Sequence, residues 1–478
     1  MPPDPSPTPA HTASTPWYKL LNRYHWFVLL VASLGWLFDT MDQQLFNLAR
    51  VPAVMHLTGA TSPSDPQVRA YAGYVTSIFM LGWATGGFTF GILGDRIGRA
   101  KTMLLTILMY SVFTGLCSLS RTFYDFAFFQ FLNGFGVGGE FAVGVSLVAE
   151  VMPEAARSKA LGMLQALSAL GNVTAAVISL GLGKLQEVHL IGSAWRLTFV
   201  VGVLPALLSL FIFKRLKEPE KWVAAAAQRK LARAAGNTAG DHFFSPFAEL
   251  FRVPRWRKNT IVGMLLAFSG VVGLWGIGVF TPDLTRNIFK PHFATLGAAQ
   301  GLVGPALDTF VSSKLTQWAS ISLLMFNVGA FFGIFAFSEI TAFTGRKPAF
   351  ALSFLLAMGV TLYVFMSFRH FSNMFWMLPM MGFCQLALFG GYAIYFPELF
   401  PTRLRSTGTS FCYNVGRLVA ASGPLVLGQL ATVVYGGYES RESGLSLRYA
   451  GMTMCAVFLI GLCALPFAPE TKGKPLPE

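Results

Sequence analysis

Two aspartates lie three residues apart inside an otherwise apolar stretch near the start of the chain. Asp39 and Asp42 belong to LFDTMDQQLF, which follows YHWFVLLVASLGW without a break. A charge in the middle of a membrane helix costs roughly 2.5–3.5 kcal/mol on insertion scales. On a helix the two side chains are about 60° apart, so both can face one cavity. These carboxyl groups are therefore candidate proton-binding groups, Asp42 the weaker of the two, or else hydrogen-bonded structural groups.

Three further apolar stretches carry polar residues on aligned helical faces. These residues are Gln130, Asn133 and Glu140 in one stretch, Gln165 and Asn172 in the next, and Asn414 and Arg417 near the C-terminus. Polar groups within a membrane usually face the bundle interior or water. Four aligned sets, counting the two aspartates, therefore predict a polar cavity.

Arg417 indicates most about what this cavity binds. It lies twelve residues, about 18 Å of helix, beyond Arg405. An arginine cannot readily lose its proton, so in this place it needs an anion as partner. Two interpretations stay open: Arg417 contacts an anionic substrate, or it pairs with a carboxylate of another helix.

Composition predicts that most of the surface faces lipid. Charged residues make up 12% of the 478 residues, against about 25% in soluble domains, and the mean hydropathy is +0.54. Twelve apolar runs are long enough to cross a bilayer, and they are helical because a bilayer requires internal backbone pairing. The twelve predicted spans are roughly 26–48, 73–93, 102–120, 123–149, 159–182, 196–213, 260–280, 318–338, 349–368, 373–396, 407–434 and 449–467.

The net charge of +14 does not indicate nucleic-acid binding, because most Lys and Arg fall at the span ends on one side. That bias places both termini in the cytoplasm. The sequence divides into a disordered tail (1–18), a first half (19–214), a basic cytoplasmic linker (215–258), a second half (259–468) and a short tail (469–478). The segment 282–317, long for an external connection, is either a lid or an insertion.

Three landmarks recur at an offset of about 250 residues. EVMPEAARS (150–158) matches ELFPTRLRS (398–406), IGR (97–99) matches TGR (344–346), and EPEK (218–221) matches PETK (469–472). Each falls at a predicted cytoplasmic end, so six helices occur twice in the same orientation. Parallel halves with a binding site between them are typical of transporters. The predicted fold is an all-α membrane protein with twelve transmembrane helices in two six-helix, pseudo-symmetric halves.

Three motifs carry a resemblance to a known family. GILGDRIGRAK (91–101) resembles the loop signature of the major facilitator superfamily, while NGFGVGGE (133–140) and PETKG (469–473) resemble its sugar-porter and metabolite–proton symporter branches. The resemblance covers residues 20–474. It implies alternating access to a central site.

The resemblance also implies a latch at the inner face, closed while the outer side is open. Its residues are Gly91, Asp95, Arg96, Gly98, Arg99, Glu150 and Arg157, with Glu398 and Arg405 in the second half. The alternative is that these charges only anchor loops. The second copy reads SEITAFTGRK, with Ala342 and Phe343 in place of Asp-Arg. That half is expected to be latched more weakly, or by Glu339.

For substrate and protons the resemblance implies several roles. FDT (38–40) resembles the first-helix motif of proton-coupled sugar porters, and GRLVAASGP resembles the eleventh helix of aromatic-acid–proton symporters and organic-anion transporters. Gln165 and Asn172 match a substrate-contacting pair of sugar porters, but Gln130 replaces the arginine of those proteins. Glu140 is either a second proton site or a packing residue. Further cavity candidates, each equally open to plain helix packing, are Trp275, Asn327, Gln385 and Tyr392.

The leading prediction is a secondary transporter that moves a small organic anion, of monocarboxylate or aromatic-acid type, with protons. The alternatives are a sugar or polyol porter and, more distantly, a non-transporting nutrient receptor. No catalytic motif occurs, GFGVGG (134–139) lies within a span where it cannot bind a dinucleotide, and the five cysteines have no metal spacing. An enzyme, a cofactor and a metal are therefore not expected. The expected partners are the substrate, protons and lipid of a bacterial inner membrane, with the monomer as the functional unit.

Overall fold

The computed structural model describes residues 16–60, 66–187, 190–207, 209, 215–235, 242–278, 281–420, 422–438, 440 and 445–477. Within these ranges the chain is helical and has no β-strand. The predicted tail lies outside the described residues up to position 15, and Trp17–Leu20 forms a short 3-10 helix. Part of the predicted linker, 236–241, also lies outside them.

Six helices make up the N-half. They are α1 (Arg23–Thr58), α2 (Pro66–Ile97), α3 (Arg99–Cys117), α4 (Phe123–Val151), α5 (Glu154–Glu187) and α6 (Ala194–Val201). Two linker helices follow, α7 (Glu220–Ala234) and α8 (Ser245–Arg252). The C-half contains α9 (Pro254–Gly276), α10 (Thr281–Ala299), α11 (Pro305–Thr344), α12 (Arg346–Ser367), α13 (Phe371–Leu399), α14 (Arg405–Ala420), α15 (Gly423–Gln429), α16 (Leu445–Met454) and α17 (Val457–Ala464).

Nine helical stretches of the described chain are long and apolar enough to cross a membrane. The other three predicted spans are also helical. The first is α1, whose 36 residues include the two aspartates. The sixth is a shorter apolar helix, Ala194–Leu207, and the eleventh is divided between α14, α15 and a π-helical turn at Leu430–Val434. The expected all-helical fold is therefore found.

Local sequence explains where several helices begin and end. Asn22 caps α1 by accepting from the backbone N–H of His25, and Gly59 ends α1 in the left-handed conformation (φ 71°). Thr122 and Asp125 form a capping box at the start of α4. The Asp125 carboxylate accepts hydrogen bonds from the backbone N–H groups of Arg121 (3.3 Å) and Thr122 (3.0 Å).

Glycines set the closest helix contacts, and they do so in the same way in both halves. Gly82 and Gly86 of α2 lie against the backbone of α4, where Gly134 and Gly138 lie against that of α2. The same arrangement joins α11 and α13 through Gly329, Gly333 and Gly382. Small residues let helix backbones approach closely in membranes. The glycines of GFGVGG therefore serve helix packing, as expected.

The long connection 282–317 is helical instead of an irregular loop. It comprises most of α10 and the first turns of α11. Phe289 stacks on Phe371 at 3.9 Å between ring centroids, and Phe293 and Trp318 pack edge-on against the same ring. This aromatic cluster attaches the segment to the start of α13, within the C-half.

Candidate functional site

Asp95 joins the two halves at the end of the bundle where the repeated motifs lie, here named the motif end. Its carboxylate is fully buried and accepts hydrogen bonds from the backbone N–H groups of Ser406 (3.1 Å) and Thr407 (2.8 Å) and from the Thr407 hydroxyl (2.7 Å). These donors stand at the N-terminus of α14, where backbone dipoles favour a negative charge. Asp95 therefore holds α2 of the N-half to α14 of the C-half.

Glu150 gathers two arginines beside this contact. Its Oε1 lies 2.9 Å from Arg99 Nη2 and 2.6 Å from Arg405 Nη1. Arg99 also pairs with Asp95 at 2.9 Å and donates to the Thr402 carbonyl at 2.6 Å. All of these charges are buried. The network thus crosses between the halves, since Arg405 and Thr402 belong to the C-half.

The second copy of the motif is connected differently. Glu398 accepts two hydrogen bonds from Arg346, at 2.7 and 3.0 Å, which keeps the pair within the C-half. Among the described residues, the hydrogen bond from Arg346 to the N-half is to the Ser158 hydroxyl, at 2.8 Å. Arg157, the repeat counterpart of Arg405, donates to the Ala149 carbonyl and forms no ion pair with any described residue.

Glu339 provides the contact that replaces the missing Asp-Arg pair. It pairs with Lys159 at 2.9 Å across α5 and α11, and both side chains are partly exposed. The substitution of Ala342 for an aspartate therefore coincides with an exposed ion pair, in the position that the sequence indicated.

Arg96 and Gly98 face the linker segment before α8 and the turn before α7. Arg96 donates to the His242 carbonyl and to Ser245, and its guanidinium lies over the Phe243 ring. Gly98 has φ 117° and lies against the Glu218 carboxylate, so any side chain here is disfavoured twice. Gly91 lies against Ser410, where it allows α2 and α14 to approach closely.

Two glutamates that sequence analysis did not single out cap α3 of the N-half and α12 of the C-half. Glu218 accepts from the backbone N–H groups of Ala100 and Lys101, and Glu470 accepts from those of Arg346 and Lys347. For Glu470, burial raises the pKa, but the backbone donors outweigh it and the pKa is lowered. The available signal was the repeat of EPEK and PETK, in which each of these glutamates occurs.

Within the membrane, three carboxyl groups are buried in the N-half. Asp39 accepts from Gln43 Nε2 at 2.9 Å, and Glu140 accepts from the Thr106 hydroxyl at 2.5 Å. One oxygen of each has no hydrogen-bond partner, and Asp42 has none at either oxygen. No described Lys or Arg lies within ion-pair distance of these three groups. These three buried carboxyl groups, Asp39, Asp42 and Glu140, are here named the acidic cluster.

Asp42 points away from the interface between the halves. Its neighbours are Thr114, Asn133 and Gly202 of the N-half, although neither polar neighbour reaches hydrogen-bond geometry with it. Asn133 donates to Gln130, whose own amide contacts the Cys117 sulfur. Gln130 and Asp42 therefore face the interior of the N-half, and the shared cavity expected for both aspartates is not seen at Asp42.

Glu140 also contacts α1 directly. Its Oε1 lies against Gly35, so a larger residue at position 35 collides with the carboxyl group. The packing interpretation of Glu140 thus describes its position, and its unpartnered oxygen leaves the proton-binding interpretation open.

Arg417 is held by aromatic rings from both halves. Its guanidinium carbon lies 3.9 Å from the centre of the Trp83 ring of α2 and 4.0 Å from that of Tyr413, one turn earlier in α14. Its Nε is buried without a partner, and no described carboxylate lies within ion-pair distance. Such cation–π contacts are worth up to about 2 kcal/mol when desolvated. They do not neutralise the charge.

A cavity of about 310 Å³ lies beside Arg417, between α2, α9 and α14. Trp275 of α9 lines it and meets Trp83 edge-to-face, with centroids 6.3 Å apart. The other lining residues are Ser77, Met80, Leu81, Ala84 and Leu418. The cavity is therefore an apolar space with one cation, and both halves contribute to its wall.

The remaining substrate candidates separate into two groups. Asn172 donates to Asn327 at 3.0 Å, which joins α5 to α11 across the halves, and Asn414 donates to Ser410 while it lies against Gly87 of α2. Gln165 is buried with its Oε1 unpartnered. Asn172, Asn327 and Asn414 therefore lie at the interface of the halves.

Gln385 and Tyr392 lie inside the C-half. Gln385 donates to Thr361 at 2.8 Å, and the Tyr392 hydroxyl donates to the Leu266 carbonyl at 2.7 Å. Tyr392 also stacks on Phe396, with centroids 5.1 Å apart. Both side chains are engaged in packing of their own half.

Sequence analysis missed Trp83 and Tyr413. Tyr413 had a signal, since a residue four positions before Arg417 lies on the same helical face. Trp83 had none, because nothing in the sequence indicates which residue of α2 meets α14.

This geometry is that of a membrane transporter, with two repeated helical halves, a cavity whose wall both halves supply, and a closed seam at one end. Comparison with known proteins agrees with it. A family model described as Sugar (and other) transporter matches residues 40–242. The match covers less than half of the chain, and it supports a transporter of the major facilitator superfamily instead of an enzyme.

Similar proteins match over nearly the whole length. A putative metabolite transport protein of Haemophilus influenzae is 28% identical, over 95% of this chain and 99% of that protein. A probable 4-methylmuconolactone transporter of Cupriavidus pinatubonensis is 26% identical (96% and 93%), and a putative niacin/nicotinamide transporter of Bacillus subtilis is 26% identical (93% and 96%). The solved structure of the proton:xylose symporter XylE shares the fold, with a TM-score of 0.67 and 17% identity over 95% of this chain and 98% of that one.

Proposed function

We propose that this chain moves a small organic anion, of monocarboxylate or aromatic-acid type, together with protons by alternating access. The observation that carries the proposal is Arg417, a permanent cation beside an apolar cavity, with no carboxylate partner among the described residues. Arginine binds carboxylates through two parallel N–H···O bonds. An anionic substrate provides the missing partner.

Two relatives support this substrate class through their printed names. Those names refer to 4-methylmuconolactone and to niacin, and niacin is an aromatic monocarboxylic acid. The apolar wall of the cavity fits the body of such an acid, and Arg417 fits its carboxylate.

Asp39 is the proposed proton carrier, and Arg417 connects it to the substrate. The charged groups that act on Asp39 include Glu140, Arg417 and Asp42. We propose that an anion binds Arg417 while a proton binds Asp39, so that anion and proton are taken up together. Asp42 and Glu140 are proposed as further proton sites in the acidic cluster.

The contacts at the motif end are proposed to form the cytoplasmic latch. With Asp95, Glu150 and Arg405 engaged across the halves, access from that end is closed. Opening requires α2 to separate from α14, which it contacts closely at Gly87, Gly91 and Gly94. We further propose that the protein acts as a monomer in a bacterial inner membrane, with both termini in the cytoplasm.

The test uses purified protein in liposomes that contain a pH-sensitive dye. A panel of carboxylates and neutral sugars is added at two starting pH values, with protein-free liposomes as the control for permeant acids. Acidification of the lumen by carboxylates alone, lost in Arg417→Ala, supports the proposal. Arg403→Ala is the matched control, because Arg403 is exposed and pairs with Glu249 of the linker segment.

A sugar or polyol porter is the second candidate, favoured by the buried amide of Gln165 and the partly buried amides of Asn172 and Asn327. Neutral amides hold hydroxyl groups as well as carboxylate oxygens. A response to sugars alone, unchanged in Arg417→Ala, selects this candidate and overturns the anion proposal. Binding without any transport selects the more distant alternative, a nutrient receptor.

A further inference from the structure

We propose that Trp83 determines specificity at the anion site, by selecting carboxylates with a flat aromatic body over saturated carboxylates of equal charge and similar size. This inference rests on the proposed function. Trp83 belongs to the N-half, whereas Arg417, Tyr413 and Trp275 belong to the C-half, so Trp83 completes the site from the opposite side.

The first step concerns the orientation of the guanidinium group. Trp83 and Tyr413 both lie within 4.0 Å of its central carbon, at ring-contact distance. Two rings at this distance flank the guanidinium group, and its buried Nε has no hydrogen-bond partner. The terminal N–H groups are left for a ligand, and they bind a carboxylate in the guanidinium plane.

The second step concerns the body of the ligand. Beyond Arg417, the cavity wall has no second charged side chain among the lining residues, and its aromatic residues are Trp83 and Trp275. These rings meet at 89°, which leaves two perpendicular aromatic surfaces beside the cation. Aromatic pairs prefer offset-stacked or edge-to-face contacts, worth about 0.5–1.5 kcal/mol beyond area burial. A flat ring gains this contact, and a puckered ring does not.

The third step concerns the rigidity of Trp83. Gly82 and Gly86 on either side lie against the α4 backbone, and the Trp83 carbonyl lies against Gly138. The Trp83 ring packs on Phe79 at 5.8 Å and is almost fully buried. The indole is therefore held in place before the ligand arrives, which is what a specificity-determining group requires.

The experiment is isothermal titration calorimetry of the purified full chain in detergent, with benzoate and cyclohexanecarboxylate. The two probes have the same charge and similar size and differ in flatness. Wild-type protein is expected to bind benzoate more tightly, and Trp83→Leu to lower the ratio of affinities roughly three- to tenfold. Trp83→Phe is expected to retain part of the preference, which separates a lost ring contact from misfolding. Trp376→Leu, at an exposed tryptophan of α13, is the matched control.

Three outcomes overturn the inference, and they are distinguishable. If Arg417→Ala abolishes binding while Trp83→Leu weakens both probes equally, the anion site stands and Trp83 only positions Arg417. If Trp83→Phe loses the preference for benzoate as fully as Trp83→Leu does, an aromatic ring at position 83 does not determine that preference. If wild-type protein binds neither carboxylate, the proposed function fails together with the inference.

Discussion

Two helix contacts join the halves at the motif end, α2 with α14 and α5 with α11, and they are here named seams. They occupy corresponding positions in the repeat but differ in chemistry. In the α2/α14 seam, a buried aspartate is capped by a helix N-terminus, and one glutamate holds arginines from both halves. In the α5/α11 seam, Ala342 occupies the aspartate position, and the contact is an exposed Lys159–Glu339 pair. Exposed ion pairs contribute about 0–1 kcal/mol, whereas removal of one partner of a buried pair costs about 3–5 kcal/mol. The two contacts therefore occupy corresponding positions in the repeat, but the α5/α11 contact is expected to be the weaker one.

This difference indicates which seam limits opening at the motif end. Separating α2 from α14 exposes Asp95 and breaks the contact between Glu150 and Arg405. Separating α5 from α11 exposes charges that water already reaches. We expect the first seam to dominate the equilibrium between the closed and open states.

The largest expected effect follows Glu150→Gln. The substitution leaves Arg99 and Arg405 buried without a full negative partner, so a stability loss of about 3–5 kcal/mol is expected. Thermal unfolding in detergent measures it. Glu398→Gln is the matched variant, and it should cost less because Glu398 holds one arginine within its own half. Equal losses contradict the comparison of the seams.

Asp95→Asn should have the next largest effect, and on conformation more than on stability. The amide keeps the size of the carboxylate but loses the charge that the α14 N-terminus stabilises, worth about 0.5–2 kcal/mol. It also removes one of the two carboxylates that pair with Arg99, which keeps its pair with Glu150. The motif end should then open more often. Thr407→Cys, introduced in both backgrounds after the exposed Cys463 is replaced by serine, removes the same hydroxyl bond from each, and its labelling rate measures the opening. An unchanged rate shows that Asp95 does not hold the seam.

Glu339→Gln tests the weaker seam. Loss of the exposed pair with Lys159 should change stability by less than about 1 kcal/mol. The same labelling assay should show little change in opening. A loss as large as that of Glu150→Gln reverses the ranking of the two seams.

The smallest expected effect concerns Glu470 and is a dependence on pH. Because its folded-state pKa is below the ordinary value of 4.5, the group contributes stability above that pH and loses it as the pH falls through the folded-state value. Glu470→Gln should therefore flatten the acid side of the stability profile. The free energy of unfolding of the wild type and of Glu470→Gln is measured from pH 6 downward. The two stability profiles should converge at low pH, where Glu470 is protonated.

The fold was predictable because a bilayer permits few alternatives. Backbone groups within hydrocarbon must pair internally, so long apolar runs form helices, and a repeat at constant offset doubles the set. Glycines at short spacing predicted close packing in α4 correctly. Outside the bilayer the backbone can also pair with water, so the sequence did not predict the structure of the connection 282–317. There, Phe289 and Phe293 pack on Phe371, a contact between segments distant in sequence.

The sequence by itself determined the helices, the repeat and which polar residues lie within the membrane, since these depend on local composition and period. Tertiary structure alone decided their partners. Asp42 packs against Thr114, Asn133 and Gly202 inside the N-half, although its spacing from Asp39 allowed both side chains to face one cavity. Trp83 contacts Arg417, although the two residues are 334 positions apart in the sequence. Helical periodicity defines a face but not the neighbour it packs against, because that choice depends on how all the helices fit together.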